Sequence, residues 1–359
     1  MRTLLLSPEL FLAEGGIARI IRLYLRALCT LTEPGDRVDY IALNDQPGGD
    51  ARVSRYSNAS LGDQMGCQRS KLRFTWHTLR LGLRAQRIVC GHLHQLPIVW
   101  LVSLLRPGLQ VFLVAHGIEV WRPYSWLEKR SMSGATRILC ISEYTRRQML
   151  RFYPGLDPAK LLVVPNTLDP YFAPVENPAP TTAPFGRPRL LTVSRLATTD
   201  TYKGVDTLIE AMPLVLREFP QARLRIVGGG DDLPRLRALA DSHGVAAAVD
   251  FTGIIGDDAL RAEYSSCDFF ALPSRKEGFG LVFLEAMTYG KPCLGARAGG
   301  VPEVINDAVG TLVEYGNIPD LAAAVADLAH HPRDAALVRQ HADSFAFVPF
   351  TRRLAAALH

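Results

Sequence analysis

Ser274-Arg275-Lys276-Glu277-Gly278-Phe279-Gly280-Leu281-Val282-Phe283-Leu284-Glu285 is the stretch on which the reading of this chain turns. The apolar run before it, Phe269 to Leu272, reads as a short buried strand, and the apolar run after Gly280 is helix-compatible until Gly290 and Pro292 stop it. Strand, glycine-bearing turn and helix N-terminus, in that order, leave unpaired backbone N–H groups at the positive end of a helix dipole. A phosphate or a hydroxyl-rich ligand can be held there. Glu277 stands before the helix and Glu285 inside it, on a run that otherwise reads as buried, where an ionised carboxylate needs a partner. Ligand hydroxyls are one such partner. For two glutamates taken alone, a helix cap and a surface salt bridge are the plainer reading. Gly278 and Gly280, flanking Phe279, favour close approach of the backbone to something bound.

Working outward, the same alternation recurs in both directions. Before the stretch lie a strand Leu190 to Val193, a helix Val205 to Phe219, a strand Leu224 to Gly228, a helix Leu233 to His243, a strand Val249 to Phe251 and a helix Ala259 to Ser265. After it come a strand Cys293 to Ala296 and a helix Ile318 to His330. The first half carries a strand Leu4 to Leu6, a Gly15-Gly16 turn and a helix Ile17 to Leu31, then strands at Val38 to Leu43, Ile88 to Cys90, Val111 to Ala115, Arg137 to Ile141 and Leu161 to Val164. Continuous apolar strands spaced by helices predict parallel, doubly wound sheets, so the class is α/β. Prolines at 170, 174, 178, 180, 184 and 188 can neither pair as a strand nor wind as a helix. The expected division is a first domain over 1–168, a proline-rich linker over 169–188 and a second domain over 189–345. Ligand chemistry then belongs at the C-terminal ends of the strands.

Length and composition agree: 359 residues suffice for two cores, and 48% hydrophobic with 21% charged residues is ordinary globular composition. No apolar run reaches the roughly 18 residues a bilayer span needs. Met1 to Leu6 is too short for the core of a signal peptide and reads as a first buried strand. The cysteines are scattered with no Cys-x-x-Cys spacing and read as reduced core residues of a cytoplasmic protein. Residues 1–168 hold 22 Lys and Arg against 12 Asp and Glu, leaving 18 against 23 for the remainder, so the first half is the basic one. Such a balance suits an anionic lipid or an anionic acceptor. From Arg69 to Arg87 the basic run is interleaved with Leu72, Trp76, Leu79 and Leu83 and has no acid. A solvated helix face and a segment lying at the inner face of an anionic membrane both fit it. No stacking module or zinc finger points to nucleic acid.

Several other residues sit where chemistry is expected. Arg195 follows a strand and Lys203-Gly204 precedes a helix, two cations suited to a bound diphosphate, or simply two solvated charges. Gly228-Gly229-Gly230-Asp231 after an apolar strand allows close approach to a nucleotide, or is a plain tight turn. It lacks the last glycine of the dinucleotide fingerprint, which counts against an NAD-dependent oxidoreductase. His116-Gly117-Ile118-Glu119 ends the Val111 to Ala115 strand.

Glu277-Gly278-Phe279-Gly280 with Glu285 resembles the Glu-x7-Glu motif of retaining, nucleotide-sugar-dependent glycosyltransferases of family 4, which have the GT-B fold of two Rossmann-like domains facing each other across a cleft. Gly299-Gly300-Val301-Pro302-Glu303, Arg195, Lys203-Gly204 and Pro165-Asn166-Thr167 fit the same pattern, with Thr167 where the family usually has glycine. The resemblance implies that Glu277 with Gly278 and Phe279 binds the donor sugar, that Glu285 binds the ribose, and that Arg195, Lys203, Gly16 and Gly280 hold the donor diphosphate. It places Gly228, Gly230 and Gly253 near the nucleotide and His116 against the transferred sugar, and brings a C-terminal helix over 346–359 back onto the first domain. The implied donor is a UDP- or GDP-sugar and the acceptor a glycan or lipid-linked glycan. The implied reaction needs no cofactor or divalent ion, in keeping with the lack of any Asp-x-Asp in the sequence. A sugar phosphorylase of similar architecture and a catalytically silent nucleotide-sugar sensor are the rival readings.

Overall fold

In a computed structural model, which describes residues 1–12, 15–174 and 186–359, the chain divides into two compact units. One is Met1–Asp169 together with Phe347–His359, the other Pro170–Ala346.

The first unit runs β1 (Arg2–Ser7), α1 (Gly16–Thr30), β2 (Arg37–Ala42), β3 (Leu61–Gly66), α2 (Lys71–Gly82), β4 (Arg87–Cys90), α3 (Leu96–Leu105), β5 (Gln110–Ala115), α4 (Trp126–Gly134), β6 (Arg137–Cys140), α5 (Glu143–Phe152) and β7 (Leu161–Val163). Its strands form one sheet in the order β3-β2-β1-β4-β5-β6-β7, parallel throughout. The period of two explains why the strands read as unbroken apolar runs: both faces are covered. Leu4 and Leu6 enter a core with residues of α2 to α5, while Leu5 enters a second core with α1.

The second unit runs β8 (Arg189–Val193), α6 (Val205–Glu218), β9 (Arg223–Val227), α7 (Leu233–Ser242), β10 (Val249–Gly253), α8 (Asp257–Ser266), β11 (Phe269–Leu272), α9 (Leu281–Thr288), β12 (Cys293–Ala296), β13 (Gly310–Val313), α10 (Ile318–His330) and α11 (Ala335–Asp343). Its parallel sheet has the order β10-β9-β8-β11-β12-β13. α12 (Phe347–Leu358) then supplies Phe350, Leu354, Ala357 and Leu358 to the α1 side of the first unit, where Phe350 meets Tyr24 edge-on at 5.1 Å.

Most of the expected proline-rich linker, 175–185, lies outside the described residues. Its beginning is no free linker. Tyr171 donates to Asp258 at 3.3 Å and lies under the Arg261 guanidinium at 5.0 Å, so Pro170 to Ala173 are packed onto the second unit.

Candidate active site

In each sheet the strand order reverses once, between β1 and β4 in the first unit and between β8 and β11 in the second. The loops at such a reversal splay apart, and the gap at the strand C-termini is where doubly wound folds take their ligands. Arg195 and Lys203 lie after β8 and Glu277 after β11, on either side of the second unit's gap. In the first unit Gly16 opens α1 after β1, and His116 follows β5, next to β4.

The two loops of the second unit are tied together by backbone. The Arg275 N–H donates to the Tyr202 carbonyl at 2.8 Å, and the buried Ser274 hydroxyl donates to the same oxygen at 3.3 Å. At Gly204, φ is +74° and a Cβ would stand 2.5 Å from the Pro273 carbonyl, so only glycine lets the loops meet there. As a result Lys203 Nζ lies 2.6 Å from Glu277 Oε2. Burial works to lower the Lys203 pKa, but the charge and hydrogen bond of Glu277 more than reverse it, so the ammonium is held charged. Glu277 is fixed from the other side as well, because the Gly300 N–H donates to its carbonyl at 2.8 Å. Gly299 has φ +60°, and a Cβ there would lie 2.3 Å from that carbonyl. These glycines are what the Gly-Gly-Val-Pro-Glu string is for.

Arg195 is paired with Asp200 at 2.5 Å and is otherwise well exposed. Arg195, Asp200 and Lys203 line a concavity of about 210 Å³ with Asp206, Asp232 and Arg235. A somewhat larger hollow, around Arg189, Arg223 and Glu263, sits at the opposite, N-terminal ends of the strands and has no part in this chemistry. Glu285 is buried in α9, and its expected partner comes from the protein: the fully buried Tyr264 of α8 donates to it at 2.8 Å.

Two expectations change in detail. Phe279, expected among the donor contacts, has its ring buried edge-on against Phe345 at 5.6 Å, so that side chain is core and only its backbone is left for a ligand. The close approach that Gly228 and Gly230 permit is to protein: a Cβ at either would come within about 2 Å of the carbonyls of Ser194 or Leu196. They brace the Arg195 loop, with Leu196 donating to Gly229 and Thr198 to Asp231. Gly253 and Gly16, by contrast, face open space, since a Cβ at either would meet nothing within 4 Å. Gly280 has φ +90°, and a Cβ would collide with Phe283, so the turn into α9 requires it.

In the first unit His116 is buried, and its Nε2 lies 2.9 Å from the Gly91 carbonyl. A carbonyl only accepts, so Nε2 carries the proton and Nδ1 keeps its lone pair. Burial pushes the His116 pKa down to about 4, against a smaller upward pull from Gly91, so the ring is neutral at pH 7. Glu119 Oε1 accepts from the N–H groups of His116 and Gly117 and fixes the turn. Burial raises its pKa and drives that of the neighbouring His92 down to about 4, the latter partly opposed by Glu119 itself. Asp200, Tyr264 and His92 were not singled out by the sequence. Each acts through a partner that the fold, not the spacing, brings near.

Two doubly wound parallel sheets, each with candidate site residues at its strand C-termini, are the two domains of the GT-B fold, and known proteins agree. The Anabaena protein Alr3699/HepE, solved in complex with UDP and glucose, superposes with a TM-score of 0.77 at 18% identity, covering 100% of this chain and 99% of that one. Residues 15–172 match the family model described as Glycosyltransferase Family 4, and residues 176–344 the one described as Glycosyl transferases group 1. The chain belongs to the family 4 glycosyltransferases. One relative is the GDP-mannose-dependent alpha-(1-6)-phosphatidylinositol monomannoside mannosyltransferase of Mycolicibacterium smegmatis, 40% identical over 158 residues, 42% of this chain and 41% of the relative. Another is the D-inositol 3-phosphate glycosyltransferase of Actinosynnema mirum, 32% identical over 216 residues, 57% of this chain and 52% of the relative. The matches thus span about half or less of the length of these relatives.

The Tyr264 contact makes one prediction. Tyr264→Phe removes only the hydroxyl that holds Glu285 and should cost about 1.5–3 kcal/mol, the usual worth of a hydrogen bond to a charged group. Chemical denaturation of the second unit would read it, and an unchanged midpoint would show the bond to be idle.

Proposed function

We propose that the chain is a retaining hexosyltransferase, moving mannose or glucose from a GDP- or UDP-sugar to a hydroxyl of a lipid-linked glycan in surface polysaccharide or glycolipid biosynthesis. The observation that carries this reading is the 2.6 Å pair of Lys203 and Glu277 at the second unit's gap. A nucleotide-sugar presents an anionic diphosphate joined to a ring of hydroxyls, and the bond that breaks lies at their junction. An ammonium to take the phosphate, touching a carboxylate to take the hydroxyls, matches that junction. The identity with the Mycolicibacterium relative supports GDP-mannose as the first donor to try.

In this reading, donor binding replaces Glu277 by the diphosphate as the partner of Lys203. Arg195 and the first amides of α9 share the charge that develops as the anomeric C–O bond breaks. That supply of positive charge comes from the chain, so no divalent ion is called for. Glu285, locked by Tyr264, accepts from the ribose. His116, with Nε2–H committed to Gly91, offers the Nδ1 lone pair to a hydroxyl of the transferred sugar. Retention follows if the acceptor hydroxyl attacks from the face the diphosphate leaves: the new C–O bond forms there and the departing phosphate oxygen takes the hydroxyl proton.

The test is a thermal-shift screen of GDP, UDP and ADP with their sugars. A true donor at 100 times its Kd stabilises by about 2.7 kcal/mol. A shift with GDP and GDP-mannose alone fixes the base and the hexose. No shift with any nucleotide sinks the proposal.

A further inference from the structure

The loop that joins β4 to α3, Gly91 to Gln95, lies at the first unit's gap, because β4 is one of the two strands between which the order reverses. Gly91 is pressed against β1: a Cβ on it would stand 2.5 Å from the Leu6 carbonyl. His92 is therefore the first side chain past the end of β4. Its loop is bound to the His116 loop at two points. His116 Nε2–H donates to the Gly91 carbonyl at 2.9 Å, and Arg122 Nη2 donates to His94 Nε2 at 3.2 Å. His92 and His116 are near enough to act on each other electrostatically.

Hydrogen bonding sets the His92 tautomer. The His94 N–H donates to His92 Nδ1 at 3.2 Å, which caps the short 3-10 turn Leu93–Gln95. A ring nitrogen that accepts carries no proton, and burial keeps the ring neutral at pH 7, so Nε2 holds the one proton. That N–H reaches the surface of a half-buried residue and has no partner among the described residues. Capping does not account for it, since a cap needs one acceptor, which Asn, Asp or Ser supplies. The same loop holds a second unused polar group. Gln95, only 5% exposed, has no partner for either end of its amide among the described residues.

We propose that His92 binds a hydroxyl of the transferred sugar, with its Nε2–H as donor, beside the Nδ1 acceptor of His116. The inference rests on the assignment of His116 to that sugar under the proposed function. A hydroxyl both accepts and donates, and the two rings offer one N–H and one lone pair. A phosphate suits the place poorly, because both rings are neutral at pH 7 and the charge that Glu119 brings to His92 is that of an acid. His92 is then a contact that tells a nucleotide-sugar from its bare nucleotide.

Two substitutions separate this role from the cap. In His92→Asn the amide oxygen stands near the place of Nδ1 and can accept from the His94 N–H, but no donor reaches the place of Nε2. In His92→Gln the longer side chain brings an amide N–H to the place of Nε2 and gives up the cap. A sugar contact and a purely structural cap therefore rank the two variants in opposite orders.

Calorimetric titration of the full chain with GDP-mannose and with UDP-glucose, each against GDP or UDP alone, reads the difference. For the nucleotide-sugar that wild type binds, His92→Asn should weaken binding by about fivefold, the usual worth of one hydrogen bond. Binding of the bare nucleotide should not change. His92→Gln should stay within about twofold of wild type on both ligands. Retained circular dichroism and melting temperature show that the variants fold. The reverse order, with Asn like wild type and Gln weakened, would make His92 a cap alone and overturn the proposal. An equal loss for nucleotide and nucleotide-sugar, or two variants that bind as wild type does, would overturn it too. Those results leave the donor assignment standing, whereas a wild type that binds neither nucleotide-sugar removes that assignment and this inference together.

Discussion

Lys203→Met is expected to lower kcat/KM for glycosyl transfer by about 10²–10³, the usual cost of removing one preorganised charge from a developing anion. Methionine keeps the stem that passes near the Tyr202 ring, where Nζ is 5.7 Å from the centroid, so the loss is one of charge more than of packing. The same change takes away the cation 2.6 Å from Glu277, in a site where both side chains are about four-fifths buried. Stability should therefore fall too, by about 1–3 kcal/mol. Lys203→Met/Glu277→Gln separates the two effects. Removing both charges should restore much of the lost stability and none of the activity, because the diphosphate still lacks its ammonium and the sugar its carboxylate. Steady-state kinetics and urea denaturation on wild type and the two variants give the answer. Transfer by Lys203→Met within a few-fold of wild type would remove Lys203 from the chemistry.

This pair also shows what a sequence alone can carry. Lys203 and Glu277 are 74 residues apart, and nothing in their spacing says that they touch. They could be named together because the family 4 pattern has both, and the reading of each as lying at a strand end of a doubly wound sheet, where the strand ends share one edge, agreed with it. Buried strands declared themselves by unbroken apolar runs, whereas β3 did not. Its Leu61-Gly62-Asp63-Gln64-Met65-Gly66 lies at the sheet edge with every residue only half-buried, so no apolar pattern marks it. Arg195 was legible, but its tie to Asp200 was not, for that depends on how a six-residue 3-10 segment folds. The burial of the Phe279 ring was not legible, because an aromatic between two glycines looks the same whether its ring meets a ligand or, as here, Phe345 in the turn after α11, 66 residues on. Tyr264 was silent for a related reason. An apolar-looking residue of α8 announces burial, and only the fold turns its hydroxyl toward Glu285.

The largest pH effect should come from His116. Its folded pKa of about 4 lies below the ordinary 6.5, so the folded protein favours the neutral ring. The stability this contributes is whole above pH 6.5 and is lost as pH falls through the window down to about 4, by up to roughly 3 kcal/mol at 1.36 kcal/mol for each unit. His92 acts in the same window with the same sign, and Glu119, whose pKa is raised, acts with the opposite one. Glu128, held at about 2 by Arg122 and its Ser125 bonds against the opposing effect of burial, loses its contribution as pH falls from about 4.5 to about 2, so most of its loss lies below that window. His116→Gln keeps a donor for the Gly91 carbonyl and does not titrate, so it should flatten the acid loss of stability while leaving the neutral value within about 1 kcal/mol. Hydrogen exchange of β4 and β5 amides, compared between wild type and variant at each pH, reports the first unit alone. Transfer should meanwhile fall by about 10² or more if the Nδ1 lone pair meets the sugar, because a glutamine committed to Gly91 through its amide N–H cannot place an acceptor at the same point. Because the ring is already neutral from pH 6.5 upward, the wild-type rate should show no His116 limb there. A limb near pH 6.5 that His116→Gln abolishes would mean that the ring titrates in water-like surroundings, and the buried, Gly91-bound state would not be the working one.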